Sequence, residues 1–219
     1  MADHFLGDVP ILSGNLVLPQ IGAWTADVLL EGSIAPTVGT TTTLTIKGVN
    51  RRGTVTHTSA DYLQVKCRVV AGAGKLDVVV DPRNYRGVTA SSIAQDALRD
   101  AGETPGSWSS LTTYCVQWQR AQGPCRAQLR RLSRLLGADT YWRVKDDGTV
   151  DTVVDTYAPT TAPTTALGSW GQERLLLLGV LDSTIVPGVS VTAFGTSRRI
   201  EKVQYDFEAE LFTAKCWYL

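Results

Sequence analysis

The amino-acid sequence predicts a mainly β protein with an α+β insert, helix–strand–helix–hairpin, lying between two β regions. Three observations carry this reading. Short alternating runs punctuated by Gly, Pro and Asn fill both ends of the 219-residue chain. Helical periodicity is confined to the middle, between residues 83 and 156. After it, Tyr157–Ser169 repeats Ala-Pro-Thr-Thr, a composition that reads as an extended linker or exposed loop. The expected division is therefore 1–82, a first β domain; 83–156, the insert; 157–169, the Pro/Thr segment; and 170–219, a second β domain or the remainder of the first.

In the first region the strand candidates are 23–31, 42–48, 53–59, 62–70 and 75–80. Gly32, Pro36, Gly48 and Gly72 stand in the gaps. Leu63, Val65, Cys67 and Val69 alternate with Gln64, Lys66 and Arg68, the pattern of a strand with one wet face. Short strands at this spacing predict a small barrel or sandwich, since closure removes exposed edges.

The insert opens with a helix signposted at both ends. Thr89 is placed to cap it and Gly102 to stop it, with Ile93, Ala94, Ala97, Leu98 and Ala101 as its apolar stripe. A strand is expected over 112–118. A second helix starts at Gly123-Pro124, where proline's missing N–H belongs to the unpaired first turn, and runs to Gly137. Asp146-Asp147-Gly148 between alternating runs signals a hairpin. The last region holds further strands: 174–182, the run after the Val186-Pro187-Gly188 turn, and two terminal strands. In these, Val203, Tyr205 and Phe207, then Phe212, Ala214, Cys216 and Tyr218, mark alternate positions.

Composition excludes several functions. The 21 basic residues are balanced by 21 acidic ones, which argues against a protein that grips DNA through its phosphates. The run Leu175–Leu181 is too short to span a membrane, and the start MADHFLGDVP lacks the pattern of a secretory leader, so a soluble, cytoplasmically made chain is expected. Cys67, Cys115, Cys125 and Cys216 have no paired spacing, so core thiols are expected, with neither metal nor cofactor. Neither a P-loop nor a dinucleotide glycine fingerprint is present. A Cys125–His57 nucleophile pair is formally available, but no motif surrounds it.

Charge is segregated along the chain. Arg120, Arg126, Arg130, Arg131, Arg134, Arg143 and Lys145 run past a single acid, Asp139, whereas Glu201, Asp206, Glu208 and Glu210 cluster around Lys202. A solvated helix face and strand edge explain this blandly. The sharper expectation is a subunit interface in which Arg126, Arg130, Arg131 and Arg134 meet Glu201, Asp206, Glu208 and Glu210 of a neighbour.

The order of pieces resembles a known family. The helix segment in DPRNYRGVTASSIAQDALRDAGE, the strand with Tyr114 and Trp118 leading to Leu132, Leu135, Leu136 and the Gly137 stop, the Asp147-Gly148 hairpin, and the Pro187-Gly188 turn before a terminal strand pair are similar to baseplate (tail) hub proteins of tailed phages. These are related to the late control protein D group and to the hub part of type VI secretion spike proteins. The resemblance implies two small β-barrel units per chain and a homotrimer whose pseudo-sixfold ring joins a hexameric tail tube to a trimeric central spike. It also implies a structural rather than enzymatic role in the virion tail, assembled in the host cytoplasm. The partners implied are the tail tube protein, the central spike protein and the tape measure protein, with DNA sliding through the lumen unbound. The competing reading is a carbohydrate- or receptor-binding β module of a phage tail, using Trp24, Trp108, Trp118, Trp142, Trp170 and Trp217.

Overall fold

A computed structural model describes residues 3–61, 63–161, 164–208 and 211–219. The first region contributes β1 (His4–Leu6), β2 (Val9–Leu18), β3 (Thr25–Glu31), β4 (Thr41–Ile46), β5 (Val49–Asp61) and β6 (Gln64–Ala71). The middle holds β7 (Val79–Val80), β8 (Arg83–Thr89), α1 (Ala90–Ala101), β9 (Tyr114–Arg120), β10 (Gly123–Pro124), α2 (Cys125–Ser133), β11 (Thr140–Val144) and β12 (Val150–Val154). The remainder is β13 (Ala158–Pro159), β14 (Thr164–Trp170), β15 (Leu175–Val180), β16 (Val189–Ala193), β17 (Thr196–Phe207) and β18 (Phe212–Tyr218).

The fold is mainly β, and its first unit is a closed six-stranded barrel. Pairing runs β1-β4-β5-β6-β3-β2, and β1 pairs with β2 to close the ring. Period-two alternation fills it: Ala26, Val28 and Leu30 from β3, and Val65, Cys67, Val69 and Ala71 from β6, are buried. Each buried Val or Leu among them contributes about 1.5–3 kcal/mol by leaving water. Trp24 is 2% exposed and reaches Gly53, where any Cβ would collide with its ring and with the Val70 carbonyl. Leu63 departs from the alternation expected of it; it lies in the β5–β6 turn and is 80% exposed.

The second β unit grows out of the first. Strand β17 pairs antiparallel with β2 from Val203↔Leu18 to Phe207↔Gly14, and the sheet continues through β18 and β15 to β14. Strand β16 pairs with β17, and β13 pairs in parallel with β16. Val203, Tyr205 and Phe207 point inward as their alternation predicts.

Two sequence expectations are corrected, and two stretches without an assigned strand prove to hold one or more. Residues 4–18 form β1 and β2, which hydrophobic patterning did not single out because Pro10, Gly14 and Asn15 interrupt the run. The segment 75–80 is mostly turn, leaving β7 as a two-residue bridge to β10. Residues 83–89, read as a lead-in to the helix, form β8. The Pro/Thr segment 157–169 is not a plain linker: it contains β13 and most of β14, while Ala162 and Pro163 lie outside the described residues. Pro159 is tolerated because its strand is a two-residue edge piece.

In the insert, Thr89 Oγ1 accepts the Ser92 N–H at the start of α1, and Gly102 ends the helix at φ 84°. The second helix is regular to Ser133 and finishes as turn before Gly137. The α1 and α2 helices pack through Ile93, Ala97, Leu98, Leu129 and Leu132, all buried.

Candidate assembly surfaces

Buried polar contacts make the units one body. The side chain of Arg51, in β5, is 1% exposed; its Nη1 donates to Ser183 Oγ (3.0 Å) and Nη2 to the Ser183 carbonyl (2.7 Å). Its Nε lies 3.2 Å from Asp146 Oδ1, an ion-pair distance without hydrogen-bond alignment. Burial pulls this guanidinium below its ordinary pKa, opposed by the field of Asp146. Arg143, in β11, donates from Nε to the Gln20 carbonyl (2.5 Å), from Nη1 to that of Pro187 (2.9 Å), and from Nη2 to both oxygens of Asp155. Each arginine therefore touches the barrel, the hairpin and the second β unit.

Two carboxylates hold loops by their backbone N–H groups. Glu103 accepts from Ala73 (3.0 Å) and Lys75 (2.5 Å), tying the end of α1 to the loop after β6; burial raises its pKa, and these bonds oppose the rise. Asp151 accepts from Ser107 and Trp108 and pairs with Lys145.

The arginine-rich stretch divides into inner and outer members. Arg120 is buried and pairs with Asp100, and Arg143 is internal, so neither belongs to a surface patch. Arg126, Arg130, Arg131 and Arg134 are exposed on α2 and its end. Arg126 already pairs with Asp77 at 2.6 Å, and Arg131 lies over Trp118 at 5.7 Å. Arg126 and Arg130 overhang a cleft of about 350 Å³ between α2 and the barrel, floored by Ile21, Leu76 and Trp142. On the acidic side, Asp206 pairs with Lys215 (2.8 Å), Glu201 is half-buried at a register shift in β17, and Glu208 is exposed. Glu210 lies outside the described residues. Arg130, Arg134, Glu201 and Glu208 have no ion-pair partner among the described residues.

Open strand edges are the other assembly feature. The large sheet ends at β14, which pairs only with β15 among the described residues and exposes Leu167 (55%) and Trp170 (47%). Beside it, Leu167, Leu181, Leu211 and Phe212 line an apolar groove.

The thiols are interior. Cys125 donates to the Ala97 carbonyl, and burial pushes its pKa up to about 12, so the nucleophile weighed in the sequence is held as a thiol. His57 is exposed on β5 and is not brought to it. Trp24, Trp108 and Trp142 are core. Sequence reasoning missed Arg51 and Arg143. For Arg51 a signal existed: it shares the inward phase with Gly53 and Val55.

A closed barrel carrying a second β unit on its β2 edge, with helices in a side insert, defines the fold class. No family model and no curated protein matches the sequence. Solved structures do. The 43 kDa tail protein of prophage MuSo2 from Shewanella oneidensis aligns with 100% of this chain and 97% of its own, at a TM-score of 0.73 and 11% identity. An E. coli type VI secretion component, c3393, itself structurally similar to the bacteriophage T4 tail proteins gp27 and gp5, aligns over 99% of this chain and 76% of its own (TM-score 0.69, 14% identity). A tail protein of Neisseria meningitidis covers 95% and 91% (TM-score 0.69, 9% identity). At these identities the likeness is one of fold: the chain shares the architecture of these phage tail and type VI secretion proteins.

Proposed function

We propose that this chain is a structural baseplate hub protein of a tailed phage or a related contractile particle. Three copies form a pseudo-sixfold ring that joins the hexameric tail tube to the trimeric central spike, with the tape measure protein as a further neighbour and DNA passing through the lumen without specific contacts. The observation that carries this reading is the near-complete overlap of the fold with tail proteins, including a type VI component akin to gp27 and gp5. The closed barrel and the unit grown from its edge supply two β bodies per chain, the number a threefold ring needs to meet six tube subunits. The β14 edge and Arg130, Arg134, Glu201 and Glu208, which lack a strand or ion-pair partner there among the described residues, are suited to contacts between copies.

The role is non-enzymatic and virion-bound in this reading. Solution mass of the full chain, alone and with a candidate spike protein from the same particle, tests it. A trimer, or a monomer that trimerises on meeting the spike, is expected. A monomer indifferent to tube and spike that binds glycans would instead support the receptor-binding module.

A further inference from the structure

The β8–β9 ribbon stands apart from the large sheet. Its strands pair only with each other, from Arg83↔Arg120 to Thr89↔Tyr114, and the backbone groups of β9 that face away from β8 meet no partner among the described residues. Two-stranded ribbons are marginal alone, and natural proteins guard such edges with charge, proline or bulges. The β8 edge follows that rule with Arg83 and Arg86. The β9 edge does not. From Tyr114 to Gln119 it carries no charge, and Tyr114 is 64% and Val116 77% exposed.

Alternation puts Tyr114, Val116 and Trp118 on one face of β9. Arg131 covers the Trp118 end at 5.7 Å, and Arg134 follows one helical turn further along. The acids of α1 near the ribbon are already engaged: Asp96 by Arg83 and Tyr85, Asp100 by Arg120 and Arg83. Arg86, Arg131 and Arg134 have no acidic partner among the described residues. An apolar strand with free main-chain donors and acceptors thus lies beside uncompensated arginines. Exposed Tyr114 and Val116, half-buried Trp118 and nearby arginine fit a polypeptide contact, and strand addition uses such an edge.

We propose that the outer edge of β9 takes an extended segment of another protein, with acidic side chains alternating with apolar ones, as a third strand of the ribbon. Main-chain bonds hold the segment, Tyr114 and Val116 receive its apolar side chains on one face, Arg86 (set by the register beside Gln117) lies on the other face with its acids, and Arg131 and Arg134 add positive field at the Trp118 end. The inference goes beyond the hub reading and is tested on the isolated full chain, so its failure leaves that reading standing.

The probes are a synthetic heptapeptide of alternating Val and Glu and its Val/Lys counterpart, with amide hydrogen exchange as the readout. The Val/Glu peptide is expected to slow exchange in β9 and to bind at least about tenfold more tightly than the Val/Lys peptide. Val116→Lys, at an exposed site, and Arg134→Glu are each expected to weaken it, with circular dichroism unchanged. Failure of the Val/Glu peptide to protect β9, or equal protection by both peptides, would overturn the proposal. So would protection of β9 by concentration-dependent self-association, which assigns the edge to a second copy, or displacement of the peptide by a single-stranded oligonucleotide.

Discussion

The first barrel and the second β unit use the same alternating strands and share β2 and β17 as neighbours, but they meet their edges differently. In the barrel, β1 is a three-residue strand that pairs with β4 on one side and β2 on the other, and this small piece closes a six-stranded ring. In the second unit the ladder runs outward from β17 to β14 and stops with an uncharged, half-apolar strand. Closure pairs the strands of the first body with one another on both sides within one chain. The second leaves its outermost backbone groups for another molecule. The proposed ring would use both: a body that keeps its shape alone, and an edge open to a neighbour.

The seam between the two bodies offers the strongest test of this contrast. Arg143→Met strands the Asp155 carboxylate, whose side chain is 1% exposed, without its cation, and a loss of about 3–5 kcal/mol in urea unfolding is expected. A cavity in each body comes next. Leu30→Ala in the barrel and Leu178→Ala in the second unit, both 0% exposed, should each lose about 2–5 kcal/mol. Hydrogen exchange should separate them: the barrel loses protection around its whole ring, the second unit mainly from β14 to β18. Equal spread in both would erase the distinction.

A pH effect at the barrel seam is smaller. His4, in the closing strand, is 6% exposed, with no partner at Nδ1, and rests on Phe207 (4.8 Å) and Phe212 (5.8 Å) of the second unit. Burial and then the Lys47 charge push its pKa below the ordinary 6.5, against a weaker opposing pull from Asp3. The neutral ring therefore stabilises the fold fully above 6.5, and this contribution is lost as pH falls through the lower native value. His4→Phe should flatten the melting temperature between neutral and mildly acidic pH; an unchanged slope would show that the seam does not depend on this ring. Smallest is the double reversal Arg130→Glu, Arg134→Glu. It should leave monomer stability within about 0.5 kcal/mol while lowering trimer yield in light scattering. Unchanged assembly would remove α2 from the contact between copies.

Much of this could be read in the residues, for identifiable reasons. The α1 helix carried cap, stripe and stop, and β6 and β17 carried clean alternation, so local chemistry and burial agreed there. The β1 and β2 strands were hidden because ring closure is a long-range fact: β1 is too short to show a period, and β2 breaks its own with Gly14 and Asn15. The β13–β14 segment was hidden by composition, since prolines that forbid a central strand are harmless at an edge. The charge clusters were visible, but their availability was not. Sequence cannot tell that Arg120 and Arg143 point inward, or that Arg126 and Asp206 already have partners in Asp77 and Lys215.

The two sequestered guanidinium groups have a mechanical corollary. Arg51 and Arg143 each bond to backbone carbonyls or carboxylates on pieces of chain more than a hundred positions apart, so the molecule lacks a soft hinge where its three parts join. Displacing the hairpin relative to the terminal strands would break these buried, charge-assisted hydrogen bonds, so the three parts are expected to move together.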